Sequence, residues 1–171
     1  MNLRRNLAVV AVAAAAATGT LVAAAPAHAD KGRANLLGIP LAPGTAGLTP
    51  QLATAYTLAA NDAHAQGVPL SINSGKRSVA EQQQLWREGL ATYGSPQETR
   101  RWVLPPRDST HVSGEAIDVK PARGAAWLQR NGNRYGLCRP FDNEWWHFEL
   151  LTFPGGACPK RIPDASYRPR R

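Results

Sequence analysis

Apolar residues recur along this chain at two spacings, and the spacing changes where one element gives way to the next. Leu52, Tyr56, Ala59 and Ala63 share one face of a helix that Thr49-Pro50 opens, as N-cap and first-turn proline, and that Gly67 ends. Residues 68–73 read as a short strand. Ser78 and Glu81 have capping-box spacing and start a second helix running to about Ala91, with Leu85, Trp86 and Leu90 turned inward. Gly94, Pro96, Pro105 and Pro106 mark 93–110 as a loop, which Trp102 pins to the core. A strand at 116–119 and a helix at 125–131 follow. Residues 137–141 and 145–151 form an antiparallel strand pair turning at Asp142-Asn143, in which Trp145, His147 and Glu149 alternate with Trp146, Phe148 and Leu150. Helices followed by mostly antiparallel strands predict an α+β fold, a small antiparallel sheet packed by about three helices.

The two ends read differently. Arg4-Arg5, an apolar run at 7–17 and Ala27-His28-Ala29 have the layout of a signal peptide with its cleavage site. Thr18, Gly19 and Thr20 cut the run short of the ~20 apolar residues that span a bilayer. The expectation is export, with cleavage near Ala29, to the medium or the cell envelope. Residues 30–48, rich in Gly, Pro and Ala, form an extended lead-in, and 161–171 a basic tail. The 142 residues after position 29 suit one domain with a real core, centred on 49–160.

Charge and cysteines refine this picture. Residues 1–29 hold Arg4, Arg5 and no acid, so their removal lowers the formal charge from +8 to +6. The basic residues are scattered apart from those in Tyr167-Arg168-Pro169-Arg170-Arg171, which fits non-specific attraction to anionic envelope polymers better than nucleic-acid binding. A monomer is expected. Cys138 and Cys158 lack Cys-x-x-Cys spacing and meet oxidising surroundings after export, so they are expected to form a disulfide rather than a metal site.

Candidate chemistry concentrates in two runs, Ser109-Thr110-His111-Val112-Ser113-Gly114-Glu115-Ala116-Ile117-Asp118 and Glu144-Trp145-Trp146-His147. His-x6-Asp and Glu-x-x-His are each weak signals alone. Without the leader, however, the chain holds three histidines, and two of them fall in these runs. Two imidazoles and one carboxylate, His111, His147 and Asp118, suit catalytic Zn²⁺, which takes three protein ligands and keeps a fourth position open. Glu144 is then the general base, since a fourth ligand would close the site. Gly114 lets the backbone turn between His111 and the strand that carries Asp118. His64, near a helix end, reads as a surface cation rather than a ligand.

Ser-x-His-x-x-Gly-x-Ala-x-Asp at 109–118 and Glu-x-x-His at 144–147 resemble the zinc signatures of the VanY-type D-alanyl-D-alanine carboxypeptidases. Ser74-Gly75-Lys76-Arg77-Ser78, with the Gln and Leu that follow, is similar to that family's Ser-Gly-Tyr-Arg-Ser segment, in the same order along the chain. The resemblance covers about residues 50–152. It implies that His111, Asp118 and His147 bind zinc, Glu144 is the base, Arg77 stabilises the developing oxyanion and Ser109 contacts substrate. A guanidinium suits that role, because negative charge grows on the carbonyl oxygen in the transition state. Lys76 stands where the family has Tyr, which puts a substrate contact from that position in question.

The resulting expectation is an exported zinc D,D-carboxypeptidase that removes the terminal D-Ala of peptidoglycan stem peptides, the substrate resting on resemblance. A peptidoglycan endopeptidase and a non-catalytic, zinc-stabilised wall-binding module are the alternatives. Glu144 and Arg77 argue against the module, which needs neither.

Overall fold

The structure, a computed structural model, describes residues 38–169. The expected signal peptide at 1–29 and the start of the lead-in lie outside the described residues. Helix α1 (Pro50–Ala65) opens with proline in its first turn and buries Leu52, Tyr56, Ala59 and Ala63. Strand β1 (Ser71–Ser74) follows, then helix α2 (Val79–Tyr93), whose capping box is complete: the Ser78 hydroxyl accepts from Glu81 N, and the Glu81 carboxylate accepts from Ser78 N. Two single-turn helices, α3 (Pro96–Thr99) and α4 (Thr110–Ser113), stand at either end of the stretch read as loop. Strand β2 (Ala116–Lys120), helix α5 (Ala122–Asn131) and strands β3 (Leu137–Cys138) and β4 (His147–Leu150) complete the domain. No helix among the described residues is long and apolar enough to cross a membrane.

The four strands form one antiparallel sheet in the order β1-β2-β4-β3, so the fold is α+β. Helices α1 and α5 pack together and against the sheet. Ile117 and Val119 of β2 and Phe148 of β4 point into that shared core with Leu52, Tyr56 and Leu128. The opposite face of the same strands is polar and nonetheless buried: Asp118 pairs across the ladder with His147, and Ala116 with Glu149. This register places two candidate ligands directly opposite one another, with Cβ atoms about 4.5–5.5 Å apart. Helix α2 is one of three long helices among the described residues, the number expected. It packs against α3, with Leu85, Trp86 and Leu90 half-buried and Gln82 as its buried side chain beside Gly89.

The described part of the lead-in is docked on the domain, with Ala42 N donating to Thr57 Oγ1. Thr49 N donates to Gly114 O, and a Cβ at Gly114 would stand 2.5 Å from Gly47 O. Gly114 has φ +75°, so both conformation and space require glycine there. At the other end, Phe141 bridges Ile162 in parallel, and Ala165 is buried with Leu104 and Phe141. The basic segment therefore lies on the domain through most of its length.

Cys138 and Cys158 form the expected disulfide, with Cα atoms 5.7 Å apart. The bridge spans 20 positions and ties β3 to the C-terminal segment. A loop of this length restricts the unfolded chain by about 3 kcal/mol, so reduction should lower Tm by about 10 °C. Thermal scans with and without reductant, beside a Cys138→Ser/Cys158→Ser variant that reductant leaves unmoved, check this.

Candidate metal centre

Three elements deliver the three candidate ligands. His111 sits in α4, Asp118 in the middle of β2 and His147 at the first position of β4, and all three are buried. Their facing atoms are His111 Nε2, Asp118 Oδ1 and His147 Nδ1. The separations are 3.3 Å between the imidazole nitrogens, 3.1 Å from His147 to Asp118 and 3.3 Å from His111 to Asp118. A tetrahedral zinc about 2.0–2.1 Å from each donor needs donor–donor edges of about 3.3 Å. The triangle fits.

The outer atoms of each ligand are committed elsewhere, and this fixes which atom turns inward. His111 Nδ1 lies 2.8 Å from Gly75 O, so it carries the proton and leaves Nε2 as the lone pair. His147 Nε2 lies 2.8 Å from Glu149 Oε1 and likewise donates, leaving Nδ1. Asp118 Oδ2 takes the Arg77 guanidinium at 2.6 Å. Arg77 is itself held by Ser74 Oγ at 2.9 Å from Nε and by Gln82 Oε1 at 3.1 Å from Nη1, while Gln82 Nε2 donates to Leu104 O. Glu149, beyond its bond to His147, accepts from Thr110 Oγ1 at 2.9 Å and Arg168 Nη2 at 2.7 Å.

Electrostatics follow from burial and these partners. Burial alone would raise Asp118, but its close contacts with the His111 and His147 rings hold it well below the usual carboxylate range. Burial pushes the His111 imidazole down, outweighing the pull of Asp118. It would lower His147 as well, yet Asp118 and Glu149 raise that ring, so without metal it holds a proton that metal uptake must release. Burial raises Glu149 too, but His147 and Arg168 bring it down to about 2. Glu144 goes the other way, pushed from 4.5 to about 7 chiefly by burial. Its Oε2 stands 3.6 Å from His147 Nδ1, on the same side as the three donors.

The donors open into a cleft lined by Arg77, Trp102, Ser109, Glu144 and Trp146 as well as the ligands, with a volume of about 180 Å³. Every residue singled out by sequence for metal binding or catalysis therefore gathers at one place, and Ser109 joins them without making a cap bond in α4. Trp102 does more than pin its loop, because it stacks on Tyr93 at 6.4 Å and forms a cleft wall. Trp146, expected in the core row with Phe148, is half-buried against the cleft. Lys76 turns away: it is exposed, lies along Gly47 and donates to Val112 O. His64 is exposed, with Nε2 2.9 Å from Leu70 O, distant in role from the metal group.

Sequence reasoning missed Glu149, Gln82 and Arg168. Glu149 shares the alternation of His147, which was the available signal.

A profile of the VanY family, described as D-alanyl-D-alanine carboxypeptidase, matches residues 45–150. A D-alanyl-D-alanine carboxypeptidase of Enterococcus faecalis (strain ATCC 700802 / V583) is 29% identical in an alignment of 115 positions that covers 52% of this chain and 42% of that protein. The chain thus spans less than half the length of that relative. Among solved structures, vancomycin resistance D,D-pentapeptidase VanY from a VanB-type cassette, in complex with Zn(II), superposes at a TM-score of 0.54 with 24% identity, over 60% of this chain and 71% of that one. VanYB in complex with D-alanine-D-alanine gives 0.56 and 23%, over 61% and 71%. The LdcB LD-carboxypeptidase gives 0.53 and 22%, over 61% and 59%. These likenesses are likenesses of fold.

Proposed function

The chain belongs to the VanY family of D-alanyl-D-alanine carboxypeptidases, and from that membership we propose that it is an exported zinc D,D-carboxypeptidase acting on peptidoglycan stem peptides. The observation that carries the reading is the triangle of His111 Nε2, Asp118 Oδ1 and His147 Nδ1, with edges of 3.1–3.3 Å and every outer polar atom already engaged. Zinc held by these donors would supply a Lewis acid able to make water nucleophilic near neutral pH. Glu144, buried and raised to about 7, is placed to take a proton from the attacking water and pass it to the leaving amine. Arg77 uses three N–H groups on Ser74, Gln82 and Asp118, and each terminal nitrogen keeps a second N–H for the negative charge that develops on the scissile carbonyl oxygen. Ser109 on the cleft wall offers its hydroxyl to the substrate.

If Arg77 meets that oxyanion, Arg77→Ala should lower kcat by about 10²–10³ with a small change in KM, and Arg77→Lys should restore part of the loss. Steady-state kinetics on both variants, with zinc content measured alongside, checks this. Equal rates for alanine and wild type would sink the role.

The substrate is tested by incubating purified muropeptides with the protein, with and without chelator, and weighing the products. A carboxypeptidase releases one alanine mass from pentapeptide stems, stops when the terminal carboxylate is amidated and is silenced by chelation. Internal fragments would move the reading to endopeptidase, and zinc binding without product would move it to a wall-binding module.

A further inference from the structure

We propose that Arg168, carried by the C-terminal segment beyond the stretch matched by the family profile, is a positioning residue that acts through Glu149 to hold His147 ready for metal. The inference rests on the metal reading of His111, Asp118 and His147 given above. The family match ends at residue 150, so the segment that follows is outside it.

That segment is built into the site. Ile162 N donates to Pro140 O, Asp142 N to Ile162 O and Asn143 N to Pro163 O, which lays the segment along the loop that leads to Glu144. Asp164 caps Ser166 and accepts from Arg101 Nε at 3.2 Å, which holds the Trp102 side of the cleft. Ala165 contributes to the cleft wall itself. These contacts bring Arg168 over the Phe141 ring, 4.7 Å from its centroid, and Phe141 lies 5.3 Å from the His147 ring.

From there Arg168 Nη2 reaches Glu149 Oε2 at 2.7 Å, while the other oxygen of the same carboxylate takes His147 Nε2 and Thr110 Oγ1. Glu149 is buried, and a buried carboxylate needs a charged partner. His147 must be neutral to bind a metal, so it cannot be that partner in the loaded site. Arg168 can. With its charge balanced, Glu149 keeps the carboxylate–imidazole bond that turns His147 Nδ1 toward the other two donors.

The test measures zinc affinity of the full chain by competition with a chromogenic chelator, using zinc alone as the probe. Arg168→Gln, which stays polar but loses both the charge and the reach to Glu149, should weaken zinc binding by about tenfold, within the 10–100-fold range for a group that orients a ligand. Arg168→Lys should lie between Gln and wild type. Because the action passes through the Glu149 charge, Arg168→Gln should have no further effect in a Glu149→Gln background. Wild-type affinity in Arg168→Gln overturns the proposal, as does an additive loss in the double variant, which would mark Arg168 as ordinary packing. A wild-type chain that binds no zinc overturns the metal reading beneath it, a distinct result.

Discussion

His147→Ala should abolish stoichiometric zinc and all hydrolysis, and His111→Ala should do the same. The donor triangle leaves no spare ligand: among the described residues only His111, Asp118 and His147 bring their donor atoms together, and Glu144, 3.6 Å from His147 Nδ1, is not one of that group. Two donors hold zinc far more weakly than three. The loss must therefore exceed the about 10–100-fold expected when an outer partner is removed. Elemental analysis after gel filtration should fall from about one zinc per chain to near zero. Both variants should remain folded, since the apolar core lies on the opposite face of β2 and β4, around Ile117, Val119 and Phe148. Retained zinc in both variants, with activity intact, would remove His111 and His147 from the site.

The same two faces explain what could be read from sequence and what could not. Helix α1 was legible because its apolar spacing and its Thr-Pro start agree, and α2 because Ser78 and Glu81 cap it reciprocally. The candidate ligands were legible because imidazoles are few and the two runs that hold them resemble the VanY zinc signatures. Glu149 was not, although strand alternation put it on the side of His147. A glutamate at the end of a strand looks solvent-facing until the register with Ala116 buries it. Gln82 failed for a similar reason, because its burial depends on a loop carbonyl 22 residues away. Arg168 sits among prolines and arginines that read as a solvated tail, and nothing local announces a partner in β4. Long-range docking of polar groups leaves no periodicity behind, whereas burial of apolar groups does.

Glu144→Gln should separate binding from turnover: zinc stays, and kcat falls by about 10²–10⁴, the range for loss of a positioned base. The amide keeps the shape of the carboxylate and cannot take a proton. The same change should make the metal-free protein more stable at neutral pH. Burial lifts Glu144 from 4.5 to about 7, so the folded state disfavours its charged form. Below pH 4.5 both folded and unfolded chains hold the proton, and the group costs nothing. Between 4.5 and 7 the unfolded chain releases a proton that the folded one keeps, so stability drops as pH rises; above 7 the full cost is present. At 1.36 kcal/mol per pH unit that cost is on the order of 3 kcal/mol, and glutamine removes it. Chelated wild type and Glu144→Gln should thus melt together at pH 4 and diverge at pH 8, the variant higher. This is the trade expected where a carboxylate is buried for chemistry rather than for stability. A variant that melts below wild type at pH 8, or one that retains near wild-type turnover with zinc bound, would take Glu144 out of the role of base.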